Sequence, residues 1–312
     1  MKLKTLLQAL TILLSLSTQA FSSTTPLAEN NTTAPIHAPA TPPAITKNSS
    51  SIDVRAKMED KMPTNYFAIA FYKPTYVLPY YFTQHPYNSI YNNNTPDNEH
   101  LKHTEAKYQL SFKVPIWKNI LGFPTTIYLG YTQLSYWQAY NHLAFFRSTD
   151  YEPEVFVANE VNFHLFKKWN INFLNVGAVH QSNGFGNELE RSWNRIYLQA
   201  TLSDPNWMIS IKPWLIIQDH TYKRSNPDIG KYLGYGQIIL GFKHNRQTIS
   251  LSLHNIIESG GRRATAEFNW SFPINTYLKG YAQVFTGYGQ SLVEYNHRTM
   301  GAGIGLAFND WI

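Results

Sequence analysis

The chain has 312 residues, a formal net charge of +6 and no cysteine, which excludes a disulfide framework and any cysteine-ligated metal. Charged residues make up only 15% of it, against roughly 25% in an ordinary soluble domain, while 21 Tyr, 18 Phe and 8 Trp raise the aromatic share to 15%. That balance suits a membrane barrel, whose strands meet lipid on alternate residues between aromatic girdles. The positive charge does not argue for nucleic acid, because Lys and Arg are scattered rather than gathered in a stripe.

In chain order, residues 1–20 begin with Lys2 and Lys4, continue through an apolar run from Leu6 to Leu16, and end on small and polar residues at Ala20. This pattern predicts a secretory signal removed on export, since the apolar run is too short for a transmembrane anchor. With no cysteine at the junction, a lipid anchor is excluded. Residues 21–60 are rich in Pro, Thr, Asn and Ala without periodicity, and predict a disordered or loosely docked leader. A short helix is expected near Ile52 to Asp60.

From residue 61 to 312 the chain becomes a succession of alternating segments separated by turn signals. The expected strands are Tyr66 to Tyr72, Lys107 to Val114, Thr126 to Trp137, Tyr151 to Phe166, Asn170 to Ser182 and Asn194 to Leu202. The series continues with Trp207 to Asp219, Tyr232 to Lys243, Thr248 to Ile256, Ala264 to Phe272, Tyr277 to Phe285 and Thr299 to Phe308. Tight turns are expected at Lys167 to Asn170, Ser203 to Asn206, Asn245 to Gln247 and Pro273 to Asn275, alternating with longer polar loops. An even number of long strands with short turns at one end predicts an all-β fold, a twelve-stranded antiparallel transmembrane β-barrel, because a sheet in hydrocarbon cannot leave an open edge. The competing architecture is a secreted soluble sandwich or barrel, which would need a second apolar face to fill a core.

Strand parity then places the chemistry. His180 and Ser182 are two residues apart, so on a strand they leave the same face, together with Leu174, Val176 and Ala178. Across the next connection Asn194 shares a face with Ile196, Leu198 and Ala200, opposed by Arg195 and Tyr197. The apolar sets face lipid, so a His, a Ser and an Asn converge on the outside of the barrel near its long loops. Histidine and serine side by side suit a general base and a nucleophile. Polar groups at the bilayer edge are costly unless they act on something arriving from the lipid, which points to an esterase acting on phospholipids. Arg195 and Glu152 are expected to point into the lumen, and Trp193 to serve as an aromatic anchor at the interface. The histidines at 142, 220, 244, 254 and 297 share no metal-cluster spacing.

Several dense blocks together resemble the bacterial outer membrane phospholipase A family. They are Lys73-Pro74-x-Tyr76-x-Leu78-Pro79, Tyr131-Thr132-Gln133 with Ser135-x-Trp137-Gln138, Tyr151-Glu152-Pro153-Glu154, and His180-x-Ser182-Asn183-Gly184. Arg191-Ser192-Trp193-Asn194-Arg195-x-Tyr197, Lys212-Pro213-Trp214, Thr286-Gly287-Tyr288-Gly289-x-Ser291-Leu292 and Asn309-Asp310 complete the set. The resemblance spans about residues 60 to 312. It implies a Ser182–His180–Asn194 catalytic arrangement, with Gln133 a supporting residue that helps orient Asn194 and the Gly184 N–H an oxyanion donor. It also implies Ca2+, held by the Phe185 carbonyl, the Glu190 side chain and a backbone oxygen near Leu143 of a second copy in an active homodimer. Here Glu190 stands where the family more usually has a hydroxyl residue, Phe185 replaces a basic residue, and the chain ends in Ile312 rather than an aromatic residue. The expected reaction is calcium-dependent hydrolysis of phospholipid acyl esters at the sn-1 and sn-2 positions in the outer membrane. The alternative is a catalytically silent channel or adhesin barrel.

Overall fold

The computed structural model describes residues 50, 52, 69–122, 125–275 and 278–312. The expected signal (1–20) lies outside the described residues, as does the expected leader apart from Ser50 and Ile52. The strands are β1 (Ala70–Phe71), β2 (Thr75–Thr83), β3 (Thr104–Lys118), β4 (Thr125–Gln138), β5 (Phe145–Phe166), β6 (Trp169–Ser182) and β7 (Ser192–Ser203). They continue as β8 (Trp207–Ile217), β9 (Gly236–His244), β10 (Gln247–His254), β11 (Thr265–Pro273), β12 (Lys279–Tyr288) and β13 (Arg298–Asn309). Every pairing is antiparallel, and the order runs from β2 through β13 back to β4, with β4 pairing β3 and β3 pairing β2. The sheet is therefore closed.

β1 and β2 both pair with β3, through Ala70↔Lys113 and then Tyr76↔Gln109, so they are two pieces of one barrel strand. The ring thus holds twelve strands, the expected number. One correction concerns that first strand. Its sequence expectation stopped at Tyr72, before the prolines Pro74 and Pro79. Pro79 instead falls where the β2–β3 register shifts between Leu78 and Tyr81, a bulge that tolerates a residue with no N–H.

The tight turns collect at one end of the barrel. Lys167 and Asn245 adopt positive φ there (51° and 53°), as the expected turns require. The other end carries the long connections, including helices α1 (His220–Ser225) and α2 (Ile229–Leu233) between β8 and β9.

Alternation follows the chain faithfully. Along β6 Leu174, Val176, Ala178 and His180 are exposed, while Gly177 and Val179 are buried. Along β7 Ile196 and Leu198 are 47% and 61% exposed, whereas Trp193, Arg195 and Tyr197 are buried. Apolar side chains thus cover the outside, while polar side chains and buried aromatic clusters fill the inside.

Inside, charges are neutralised in clusters. Glu152 accepts from Lys73 Nζ at 2.5 Å and Arg195 Nη2 at 3.3 Å, and Glu154 from Tyr197 Oη at 2.7 Å. Nearer the long loops, buried Arg147 bridges Glu105 (2.8 Å) and Glu294 (2.7 Å). The β12–β13 connection folds into that mouth: Gln290 through Tyr295 are buried, Tyr136 Oη donates to the Gln290 carbonyl at 2.5 Å, and the Leu292 N–H donates to Asp150 at 2.8 Å. At the tight-turn end Ile52 packs with Met208 and Ile239, joined by Trp311 and Ile312, and Ser203 Oγ lies in hydrogen-bond contact with Ser50 Oγ at 2.8 Å. A lumen filled from both ends does not suit a wide water-filled channel.

Candidate active site

The site begins with register. On β6 and β7, His180 lies directly opposite Asn194, and Ser182 opposite Ser192. Both His180 and Asn194 occur on the outward face, so their side chains meet: His180 Nδ1 and Asn194 Oδ1 are 2.8 Å apart. A carbonyl oxygen only accepts, so Nδ1 donates to Asn194, and in the neutral imidazole that leaves Nε2 as the acceptor. Ser182 leaves the same face two residues later, half-buried where the strand gives way to its loop. His180 and Asn194 are thus in contact on the outside of the barrel, and Ser182 stands on the same strand face two residues nearer the long connections.

Asn194 has a second partner that the sequence reading missed. Its Nδ2 donates to Asp219 Oδ2 at 2.5 Å. Asp219 is the N-cap of α1, with Oδ1 accepting the Tyr222 N–H at 2.8 Å. The expected strand ran as far as Asp219, but β8 ends at Ile217 and the chain turns into a helix. An available signal was Asp219 followed by the basic last turn Lys223-Arg224, which reads as a helix start and stop.

Gln133 behaves differently from expectation. It lies in the cross-strand row Gln133, Tyr151, Ser182, Ser192. Its hydrogen bonds, however, run along its own strand, accepting from Tyr131 Oη at 3.0 Å and donating to Ser135 Oγ at 3.1 Å. β5 and β6 separate it from Asn194, whose amide is oriented by His180 and Asp219 instead.

Trp193 is a correction. It is 2% exposed inside the barrel, donates from Nε1 to Gln181 Oε1 at 2.8 Å, and stacks beneath the Arg195 guanidinium at 4.0 Å. Parity explains this, since Trp193 shares the inward set of Arg195 and Tyr197 rather than that of Asn194. Arg195 and Glu152 point into the lumen as expected.

The loop after Ser182 is tied by Asn183, 3% exposed, whose Nδ2 donates to the Leu189 carbonyl and whose Oδ1 accepts the Phe185 and Arg191 N–H groups. Gly184 follows with φ +67°, and a Cβ there would sit 3.0 Å from the Tyr151 ring, so glycine alone fits without strain. The Phe185 carbonyl and the Glu190 carboxylate are hard oxygen donors of the kind calcium takes, and both lie on this short loop. Glu190 Oε2 is ion-paired to Arg224 Nη2 at 2.5 Å, on a guanidinium 58% exposed and so free to move aside. Leu143, on the β4–β5 connection, is 38% exposed and donates its N–H to Glu99. Two such oxygens fit the chemistry calcium prefers, while among the described residues no three acidic or histidine side chains gather into a metal cluster, so further oxygens would have to be backbone or come from outside this loop.

Comparisons with known proteins agree with the fold. The family model for phospholipase A1 matches residues 52–308. The phospholipase A1 of Salmonella typhimurium is 34% identical over 244 residues, covering 73% of this chain and 82% of that protein. Among solved structures, outer membrane phospholipase A from Escherichia coli superposes with a TM-score of 0.75 at 32% identity, over 82% of this chain and 97% of the other. The Salmonella typhi outer membrane phospholipase, a dimer with bound calcium, gives a TM-score of 0.74 at 32% identity, over 82% and 96%. This chain belongs to the phospholipase A1 family of bacterial outer membrane phospholipases A, and is an outer-membrane barrel that hydrolyses phospholipids.

Proposed function

We propose that this chain hydrolyses phospholipid acyl esters at both the sn-1 and sn-2 positions through Ser182, His180 and Asn194, on the lipid-facing rim at the extracellular end. The observation that carries the reading is the 2.8 Å contact between His180 Nδ1 and Asn194 Oδ1 on the outer face, which turns His180 Nε2 into the acceptor position of the neutral imidazole, with Ser182 on the same strand face two residues on. His180 Nε2 takes the Ser182 hydroxyl proton as Oγ attacks the ester carbonyl. The Gly184 N–H donates to the developing oxyanion. Collapse breaks the acyl C–O bond, and the lysophospholipid alkoxide leaves with the proton from His180. His180 then deprotonates a water that attacks the acyl-serine, freeing the fatty acid and restoring Ser182. Asn194 holds the imidazole throughout and supplies a dipole where a carboxylate would supply a charge.

Calcium, held by the Phe185 carbonyl and the Glu190 carboxylate together with a backbone oxygen near Leu143 of a second copy, would polarise the ester carbonyl and stabilise negative charge on it. A homodimer is supported by the Salmonella typhi relative, a dimer with bound calcium. Residues 1–20 are proposed as an export signal and 21–60 as a leader.

The test uses an alkyl fluorophosphonate in detergent micelles with calcium, followed by peptide mass mapping. Label is expected on Ser182, lost in His180→Ala. Label on another serine, or undiminished labelling of His180→Ala, contradicts the assignment. Phospholipid carrying a distinguishable chain at each glycerol position should release both chains; release of only one removes the dual specificity and leaves the nucleophile untouched.

A further inference from the structure

An asparagine in the third position of a catalytic trio brings a difficulty that an aspartate lacks. The two carboxylate oxygens are both acceptors, so an aspartate can be turned over without consequence. The amide is not symmetric: turned over, it offers N–H to the imidazole, which then must accept at Nδ1 and carry its proton on Nε2. A histidine protonated on Nε2 cannot take the serine proton. An enzyme built on asparagine therefore needs something that fixes the amide's sense.

Asp219 meets that need. Its carboxylate only accepts hydrogen bonds, and Oδ2 lies 2.5 Å from Asn194 Nδ2, so the amide nitrogen must face Asp219 and the oxygen must face His180. Asp219 is itself held, because its Oδ1 caps α1 by accepting the Tyr222 N–H at 2.8 Å. The helix is anchored in turn: the side chain of Tyr222 is 5% exposed within the cluster that includes Trp193 and Trp214. We propose that Asp219 is a positioning residue that locks the Asn194 amide in one sense and so fixes the catalytically competent tautomer of His180. It also brings a full negative charge one hydrogen bond behind the amide, which polarises Oδ1 toward the imidazole. The inference rests on the Ser182–His180–Asn194 reading above and adds a fourth residue to it.

The test is a set of variants assayed for kcat and KM on detergent-dispersed phospholipid with calcium, each first shown to be folded by its shift in electrophoretic mobility on heating. Asp219→Ser keeps an oxygen able to cap α1 but is too short to reach Asn194. It is expected to lower kcat about five- to tenfold, with KM within about twofold, in line with coupling between directly bonded residues. Asn194→Asp added to Asp219→Ser should recover most of that loss, since a carboxylate at 194 has no wrong sense to adopt. A merely structural role for Asp219 would give no recovery. Unchanged kcat in Asp219→Ser, or a double variant as slow as the single one, overturns the lock. Asn194→Ala separates the two levels: normal turnover there overturns the trio and the lock together, whereas reduced turnover there with a normal Asp219→Ser overturns the lock alone.

Discussion

Arg224 Nη2 lies 2.5 Å from Glu190 Oε2, so the one carboxylate in the expected calcium set already has a cation of its own. The guanidinium sits on α1 and is 58% exposed, while Glu190 is 25% exposed. An ion pair this open holds its partner weakly, by about 0.2–1 kcal/mol. In the proposed calcium site Arg224 competes with the ion for the Glu190 carboxylate. Arg224→Gln is therefore expected to lower the calcium concentration for half-maximal activity by about two- to fivefold. Glu190→Gln should raise it. A calcium titration of activity reads both, and an unchanged midpoint in Arg224→Gln would remove the competition.

A second expectation concerns the barrel's mouth. Arg147, 2% exposed, is the shared cation between Glu105 and Glu294, themselves 1% and 2% exposed. Removing it leaves two buried carboxylates uncompensated, and breaking a buried pair in this way costs about 3–5 kcal/mol. Arg147→Met should accordingly lower the stability of the detergent-folded barrel to urea by that order. Loss of less than about 1 kcal/mol would mean that water reaches the cluster.

The outer face makes a third. Leu198 is 61% exposed near the middle of β7, and its neighbours Tyr197 and Gln199 point the other way. Arginine on a lipid-facing barrel position costs about 2–4 kcal/mol at the bilayer midplane and much less near the interfaces. Leu198→Arg is expected to destabilise the barrel folded in lipid vesicles by that amount, measured by denaturant unfolding. No effect would place Leu198 at the interface rather than in hydrocarbon.

What could be read from the sequence follows the period of the strand. Alternation with period two is a strong signal over long strands, and it sets His180, Ser182 and Asn194 on the outer face and Arg195 on the inner one. It also separates Trp193 from Asn194, yet the abundance of aromatic residues at membrane interfaces outweighed that parity, and the structure puts Trp193 in the lumen. Strand ends were the weak point. Tyr232 and Leu233 look like the start of a strand, but Leu233 closes α2 and β9 begins at Gly236. Asp219 looks like a strand end but caps α1. These are loop positions, where conformation is set by capping and tertiary contact rather than by period, so the residue that holds Asn194 could not be reached by parity. Gln133 illustrates the converse. Its strand follows from the period, but its amide is spent on Tyr131 and Ser135, partners that spacing does not announce.

Ester cleavage on the outer surface of this barrel is proposed to rest on Ser182 and His180. Fatty acid released from detergent-dispersed phospholipid, with and without calcium, is to be measured for the unaltered chain, Ser182→Ala and His180→Ala. Calcium-dependent release is expected from the unaltered chain, with a fall of about a thousandfold or more in each variant while the barrel stays folded. Release from either folded variant at the rate of the unaltered chain would mean that the ester is cleaved elsewhere, not by Ser182 and His180.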